Sequence, residues 1–318
     1  MSLEIRHPSA AAAADEIERR FRVAGRDWYA FGDGELARVN ARLARGEPAP
    51  VSPVLAALLS RAMRLHVDSG GLFDPSVCAL VRLWGFDSEA SLGAAREPPA
   101  DEAIRPLLGE KGHALELRID AGMASSARPL CIDLGGMAKG TALELARSVL
   151  EERGITDAFV DIGGSSQLAL GQKGSRRWAI GLRHPRTGRV AGRLSLEPGE
   201  AVSTSGDYER AWVANGQRYH HVLDPATGKP TSASASVTVL AGDAELADAA
   251  STALMVAGPT RFSEICGRLG IKAALLVTSN GELLATPAMA RRLERDNGGA
   301  LPALGWNTAA PGAGDPVL

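Results

Sequence analysis

An apolar run, Leu130-Cys131-Ile132, passes through Asp133-Leu134-Gly135-Gly136-Met137-Ala138-Lys139-Gly140 straight into a long helical pattern. That junction constrains the fold more than any other segment. Two adjacent glycines allow a backbone to approach a ligand closely, and the first amides of a helix favour anions, phosphate above all. An acid and a lysine bracket the turn. The stretch reads as the floor of a site for a phosphorylated ligand; the plainer alternative is a helix entry with packing glycines. It is not a Walker loop, because Lys139 precedes Gly140 instead of following it, and the G-x-G-x-x-G dinucleotide spacing is absent.

The helix after the junction carries Ala138, Ala142, Leu145, Ala146, Val149 and Leu150 on one face and ends at Gly154. Upstream, 15–23, 35–45 and Pro53 to Val67 read as helices, the last with Ser52 as its cap and Pro53 in its first turn. Downstream, strands are expected at Ala158–Ile162, Trp178–Leu182, Arg193–Leu196, Ala201–Thr204, Ser236–Leu240 and Ala273–Thr278, and a weaker one at Leu115–Ile119. Two helices, Glu245–Ala257 and Arg261–Leu269, flank Gly258-Pro259, and Asn280-Gly281 marks a hairpin. Helices come in blocks instead of alternating one for one with strands, so the expected class is α+β. Residues 1–295 are expected as one domain with a helix-rich lobe over about 15–110; 88–101 reads as an exposed excursion and 296–318 as a loose Gly, Pro and Ala tail.

Composition excludes several functions. Net charge is −2 over 318 residues and only 4% are aromatic, so neither a basic stripe nor a base-stacking platform is present and nucleic acid is not an expected partner. No run of 18 apolar residues exists, so no transmembrane segment is expected. Met1 to Ala14 shows neither a signal core nor a lipid-attachment cysteine; a cytoplasmic location is expected as written, a periplasmic one if an export segment was removed. Cys78, Cys131 and Cys266 lack zinc or disulfide-framework spacing and read as small buried hydrophobes.

Four further constellations carry chemistry. Asp248 and Thr252, i and i+4, put a carboxylate and a hydroxyl on one helix face, two hard oxygen ligands suited to Mg²⁺; helix capping is the ordinary alternative. In Tyr219-His220-His221-Val222-Leu223-Asp224-Pro225, adjacent histidines on a strand point to opposite faces, one inward and one outward. Val202-Ser203-Thr204-Ser205-Gly206-Asp207 is either a turn or a ligand loop. Gly70-Gly71-Leu72-Phe73-Asp74-Pro75, with Trp84 and Phe86 close behind, is either an aromatic-lined loop for a planar ring or core packing.

The order of these motifs says more than any one of them. Gly-x-Phe-Asp-Pro (71–75), Leu-Trp-Gly-Phe (83–86), the 133–140 junction, Asp-Ile-Gly-Gly (161–164), Thr-Ser-Gly-Asp-Tyr-Glu (204–209), His-x-x-Asp-Pro-x-Thr-Gly (221–228) and Ala-Asp-Ala-x-x-Thr-Ala (247–253) follow one another. This succession, from about Gly34 to Gly281, resembles the FAD:protein FMN transferase family, formerly called ApbE thiamine-biosynthesis lipoproteins. The resemblance implies an ApbE-like α+β fold with its site in a cleft between two lobes. It implies a reaction dependent on Mg²⁺, with Mn²⁺ as an alternative, in which FAD is split at its pyrophosphate. FMN is joined to a Thr or Ser of an acceptor flavoprotein, and AMP leaves. Carried over motif by motif, Asp133 and Lys139 contact FAD, Leu72, Phe73 and Asp74 line the flavin or adenosine pocket, and Leu223 touches FAD from its strand. Gly136 offers a carbonyl to the metal beside Asp248, Thr252 and Ser251. His221 is the candidate general base, which leaves His220 structural.

Two features depart from the family pattern. Most relatives open with a Met-Gly-Thr strand, where this chain has Leu3-Glu4-Ile5-Arg6; Gly34 stands where a Ser is usual, and Tyr29 is the stand-in for a displaced Tyr. The adenosine end of the site is therefore expected to be built differently. The rival readings are an FAD pyrophosphatase releasing free FMN and AMP, and a flavin-binding protein without catalysis.

Overall fold

A computed structural model describes residues 1–88, 92, 96–108 and 116–295. The expected tail, parts of the 88–101 excursion, and Leu115 lie outside them. In chain order the elements are β1 (Ser2–Ile5), α1 (Ala10–Asp27), α2 (Glu35–Leu43), β2 (Ala49–Pro50), α3 (Pro53–Asp68), α4 (Cys78–Leu83), α5 (Asp101–Ile104), β3 (Arg118–Asp120), β4 (Met123–Ser125), α6 (Ala138–Glu152), β5 (Ala158–Ile162), β6 (Ser166–Leu170), β7 (Trp178–Arg183), β8 (Val190–Leu196), β9 (Ala201–Gly206), β10 (Ala211–Ala214), β11 (Gln217–His220), β12 (Ser234–Ala241), α7 (Ala244–Arg268), β13 (Ala273–Thr278), β14 (Leu283–Ala285), α8 (Pro287–Arg292) and β15 (Leu293–Arg295). The class is α+β, as expected.

A seven-stranded sheet in the order β1-β5-β6-β9-β12-β13-β14 forms the centre, and every pairing in it is antiparallel. Its inner strands are covered on both faces. Val237, Val239, Ala274 and Leu276 enter the large core under α3 and α7. Their neighbours Leu240, Ala273 and Leu275 enter a second core with Trp178 and Leu194 from the β15-β8-β7 sheet and Met289 from α8. Successive side chains of a strand face opposite sides, so two covered faces produce apolar runs without alternation.

Helix α7 runs along the central sheet, and α6 packs on α7. It is one stretch broken where expected: Gly258 takes φ 63°, and Pro259 follows with no N–H to donate. Asp243 caps its start, accepting from the Leu246 N–H at 2.9 Å. Buried Glu245 ties three helices together. It pairs with Arg61 of α3 at 2.7 Å and accepts from Thr141 of α6 at 2.7 Å.

Several expectations are corrected. Ser2–Ile5 is a strand after all, pairing with β5 at the sheet edge, although it lacks the Met-Gly-Thr sequence. Helix α1 starts at Ala10, because the alanines of its first turns favour helix without giving an apolar period. The strand expected at Leu115–Ile119 begins at Arg118. Of the two readings offered for Trp84 and Phe86, core packing holds: both are buried and pack with Trp212. Cys78 and Cys131, expected as separate hydrophobes, form a disulfide with Cα atoms 5.3 Å apart. The Asp133 N–H donates to the Pro75 carbonyl at 2.7 Å, which lays these two segments side by side. Cys266 is free, and burial pushes its thiol up to about 12.

Candidate functional site

The chain leading to Asp133 is pinned from below. Buried Asn40 of α2 donates to the Ile132 carbonyl at 2.7 Å and accepts from its N–H at 2.8 Å. The sequence offered Asn40 only as part of a helical repeat, and this two-way clamp is what fixes the segment. The Gly135 N–H then donates to Asp133 at 2.9 Å, closing a tight turn.

Beyond that turn, α6 begins at Ala138 with no side-chain cap. The sequence suggested that its free amides would face a ligand. Instead the amides are taken within the protein. Met137 and Ala138 donate to the Leu134 carbonyl at 3.0 and 2.9 Å, and Gly140 donates to the Asp248 carboxylate at 2.9 Å. The anion at this helix N-terminus is Asp248 itself, brought from α7. The approach depends on Gly140, whose missing Cβ would stand 2.2 Å from the Ala244 carbonyl oxygen.

Around this junction lies a cavity of about 510 Å³. Leu72, Phe73, Asp74, Asp133, Gly136, Lys139, His221, Leu223, Asp248 and Thr252 all line it, so ten of the residues expected at the site converge on one space. Two do not. Tyr29 is well exposed, its ring packs edge-on to Phe31, and its hydroxyl donates to the Asp87 carbonyl. Ser251 is fully buried and its hydroxyl is spent on the Asp248 carbonyl at 2.8 Å and on Ser205 at 2.7 Å; Ser205 is the hydroxyl that reaches the cavity. Leu223 lies in an isolated bridge to Pro230 and not in a strand.

Asp74 accepts from the N–H and hydroxyl of Ser76 at 2.8 and 2.6 Å, and the Phe73 N–H donates to Ser69 at 3.0 Å. These bonds hold the 72–74 wall. Beside them, Thr252 Oγ1 stands 3.5 Å from both the Gly136 and Asp248 carbonyl oxygens, and Lys139 Nζ lies 3.7 Å from Asp248 Oδ1. Among the described residues no three His, Cys, Asp or Glu side chains cluster as a metal site. The donors here are of another kind: one carboxylate, one hydroxyl and a backbone carbonyl. They fit a hard cation that completes its shell with water and phosphate. A Cβ on Gly136 would stand 3.3 Å from Thr252 Oγ1 and 3.1 Å from Phe73, crowding that corner. Burial raises the Asp248 carboxyl against the pull of Lys139, so its charged form lacks full compensation, which a bound cation would provide. Burial likewise raises Asp133.

The two histidines meet different surroundings. Buried His220 uses both ring nitrogens, Nε2 on the Thr231 carbonyl at 2.7 Å and Nδ1 on the Val222 N–H at 3.3 Å. His221 lines the cavity, and its buried Nδ1 has no hydrogen-bond partner among the described residues. Burial, then the charges of Arg210, His220 and Lys139, push it down from 6.5 to about 3. The sign of the pH effect follows. Between those two values an unfolded chain binds a proton at residue 221 that the folded site refuses, so the free protein loses stability as pH falls through that window. His221→Gln should lose less stability than the native protein between pH 7 and 4.5, read from urea midpoints; the raised carboxylates act equally in both. Identical pH dependence would contradict this burial of a neutral imidazole.

Comparison with known proteins bears on the chain as a whole. A Rhodobacter capsulatus protein named FAD:protein FMN transferase is 41% identical over 280 residues, 88% of this chain and 53% of that protein. One of the same name from Vibrio cholerae is 32% identical over 251 residues, 78% of this chain and 74% of its own. The chain thus spans about half the length of the first relative. Among solved structures, the ApbE protein of Thermotoga maritima superposes with a TM-score of 0.81 at 30% identity, covering 90% of this chain and 92% of its own. The apo flavinyl transferase ApbE of Pseudomonas stutzeri gives 0.78 at 30% identity over 91% and 92%. The family model described as ApbE matches residues 1–275, and on these grounds the chain belongs to the ApbE family.

Proposed function

We propose that this chain is a Mg²⁺-dependent FAD:protein FMN transferase that works as one unit over residues 1–295. Its substrates are FAD and the Thr or Ser hydroxyl of an acceptor flavoprotein. The observation that carries the reading is the unpartnered Nδ1 of His221, in the same cavity as Lys139 and the oxygen set of Gly136, Asp248 and Thr252.

The reaction forms a bond from the acceptor oxygen to the FMN phosphorus and breaks the phosphorus–oxygen bond to AMP, which departs with the bridging oxygen. His221 takes the hydroxyl proton. The incoming phosphates offset the two cations that help to hold this imidazole down, which moves it towards the range of an effective base. Gly136, Asp248 and Thr252 would hold Mg²⁺, or Mn²⁺ in its place, and the ion supplies charge neutralisation on the pyrophosphate and on departing AMP. Lys139 adds a fixed positive charge beside them. The 72–74 wall and Leu223 provide an apolar face for the bound dinucleotide.

The test is incubation with FAD, Mg²⁺ and an acceptor domain carrying a surface Thr. Covalent flavin on the acceptor with equimolar AMP supports transfer. Free FMN with AMP would mean hydrolysis, and no AMP with any divalent metal would mean binding alone. His221→Asn should slow transfer by roughly 10²–10⁴-fold while FAD still binds; a rate within threefold of the native protein would remove His221 as the base.

A further inference from the structure

Among the described residues, one cation lining the cavity forms no salt bridge. Lys139 is drawn towards Asp248, whereas the Arg210 side chain makes no hydrogen bond or ion pair. Its position is set by the β10–β11 hairpin. Ala211 pairs with His220, and the His221 N–H donates to the Arg210 carbonyl at 3.0 Å, so Arg210 and His221 form the next rung. Residues directly opposite on antiparallel strands share a face, and both of these line the cavity. The hairpin is firmly seated. Trp212 Nε1 donates to the Trp84 carbonyl at 3.2 Å, and Tyr219 stacks on Trp212 and Trp84 with centroids 4.6 and 5.5 Å apart. The Arg210 charge also reaches Asp133, which places the guanidinium near both the junction and the base.

We propose that Arg210 binds the phosphoryl group being transferred, the FMN phosphate of FAD, on the side of the incoming hydroxyl. The inference rests on the FMN-transfer reading above. As the acceptor oxygen closes on phosphorus and its proton passes to His221, the bridging oxygen leaves with AMP. Arg210 spans two non-bridging oxygens of the group in transit. Arginine suits that task because its planar fork meets two phosphate oxygens at once, where an ammonium offers a point charge. The Asp248, Thr252 and Gly136 corner then serves the AMP side, and cationic charge is divided between the two ends of the scissile bond.

Binding decides the matter independently of catalysis. In EDTA, the native protein should bind FMN about tenfold more tightly than riboflavin, followed by flavin fluorescence. Arg210→Gln should lose that preference and keep riboflavin affinity within twofold. Absence of the preference in the native protein, or its survival in the variant, overturns the proposal. With FAD and Mg²⁺, Arg210→Gln should lower kcat by roughly 10²–10³-fold and shift KM less than fivefold; an unchanged kcat also overturns it. Arg210→Lys should fall between the two in both assays, and it carries the same comparisons should the glutamine variant unfold. If the native protein releases no AMP at all, the transfer reading fails, while the FMN and riboflavin comparison still judges Arg210.

Discussion

Asp248→Asn should abolish metal-dependent AMP release, by about 10³-fold or more, and leave the protein as stable as before or more so. The two halves of that expectation come from one geometry. The carboxylate is buried and raised by burial, with Lys139 at 3.7 Å as a partial partner. Its charge costs free energy in the free protein, and a cation beside Gly136 and Thr252 would compensate it. Asparagine removes the charge and with it the centre of the oxygen set; loss of such electrostatic stabilisation is worth about 10²–10³ per donor and more for a metal ligand. Its amide oxygen can still accept from the Gly140 N–H, a bond of 2.9 Å in the native protein. Asp248→Ala should behave differently, because it strands that buried N–H and costs about 1–3 kcal/mol in addition to activity. AMP release with Mg²⁺ and thermal midpoints for the two variants separate these effects. Turnover by Asp248→Asn within tenfold of native would refute the metal assignment.

The second large effect concerns the same contact from the other side. Gly140→Ala should destabilise the protein by about 3 kcal/mol, at the upper end for forced overpacking. The new Cβ would stand 2.2 Å from the Ala244 carbonyl oxygen and 2.7 Å from Glu245 Cα, both backbone atoms that no rotamer change can move. Helices α6 and α7 would have to part, stretching the Gly140–Asp248 bond and displacing Lys139. Loss of transfer activity is therefore expected even where the variant stays folded. Gly25→Ala is the matched control. It sits in α1 with nothing within 4 Å of its Cβ position, and is expected to gain roughly 0.5–1 kcal/mol. Equal midpoints for the two variants would show that the helix contact is looser than described.

What could be read beforehand follows the reach of each interaction. Asp133 and Lys139 bracket one strand-to-helix junction, and Asp248 and Thr252 lie one helical turn apart, so short-range spacing already grouped each pair. Long-range partners left no such trace. Asn40 reads as one more member of a helical repeat, yet it clamps Ile132 92 residues away. Arg210 belongs to the site only through the hairpin register, and Ser205 replaces Ser251 at the cavity because the latter points to its own helix carbonyl. The Cys78–Cys131 link spans 53 residues and leaves no spacing signal. Among elements, β6 was missed because it opens on Ser166-Gln167, polar residues that the fold buries, so no apolar run marks it. The free helix amides were misjudged for a simple reason: the sequence shows a helix start but not which anion the fold will bring to it.

The hairpin that ends at His221 closes through Asn215 and Gly216, both at positive φ, the two-residue turn that matches the twist of paired strands. Because the histidines are neighbours, the count of residues in that turn chooses between them. A one-residue slip exchanges the faces of a whole strand. It would turn His221 away from the cavity and His220, with Arg218, towards it. The choice of which histidine meets the cavity is thus delegated to a turn that lies outside it, and a single insertion at the tip would exchange the two without touching a residue of the cavity.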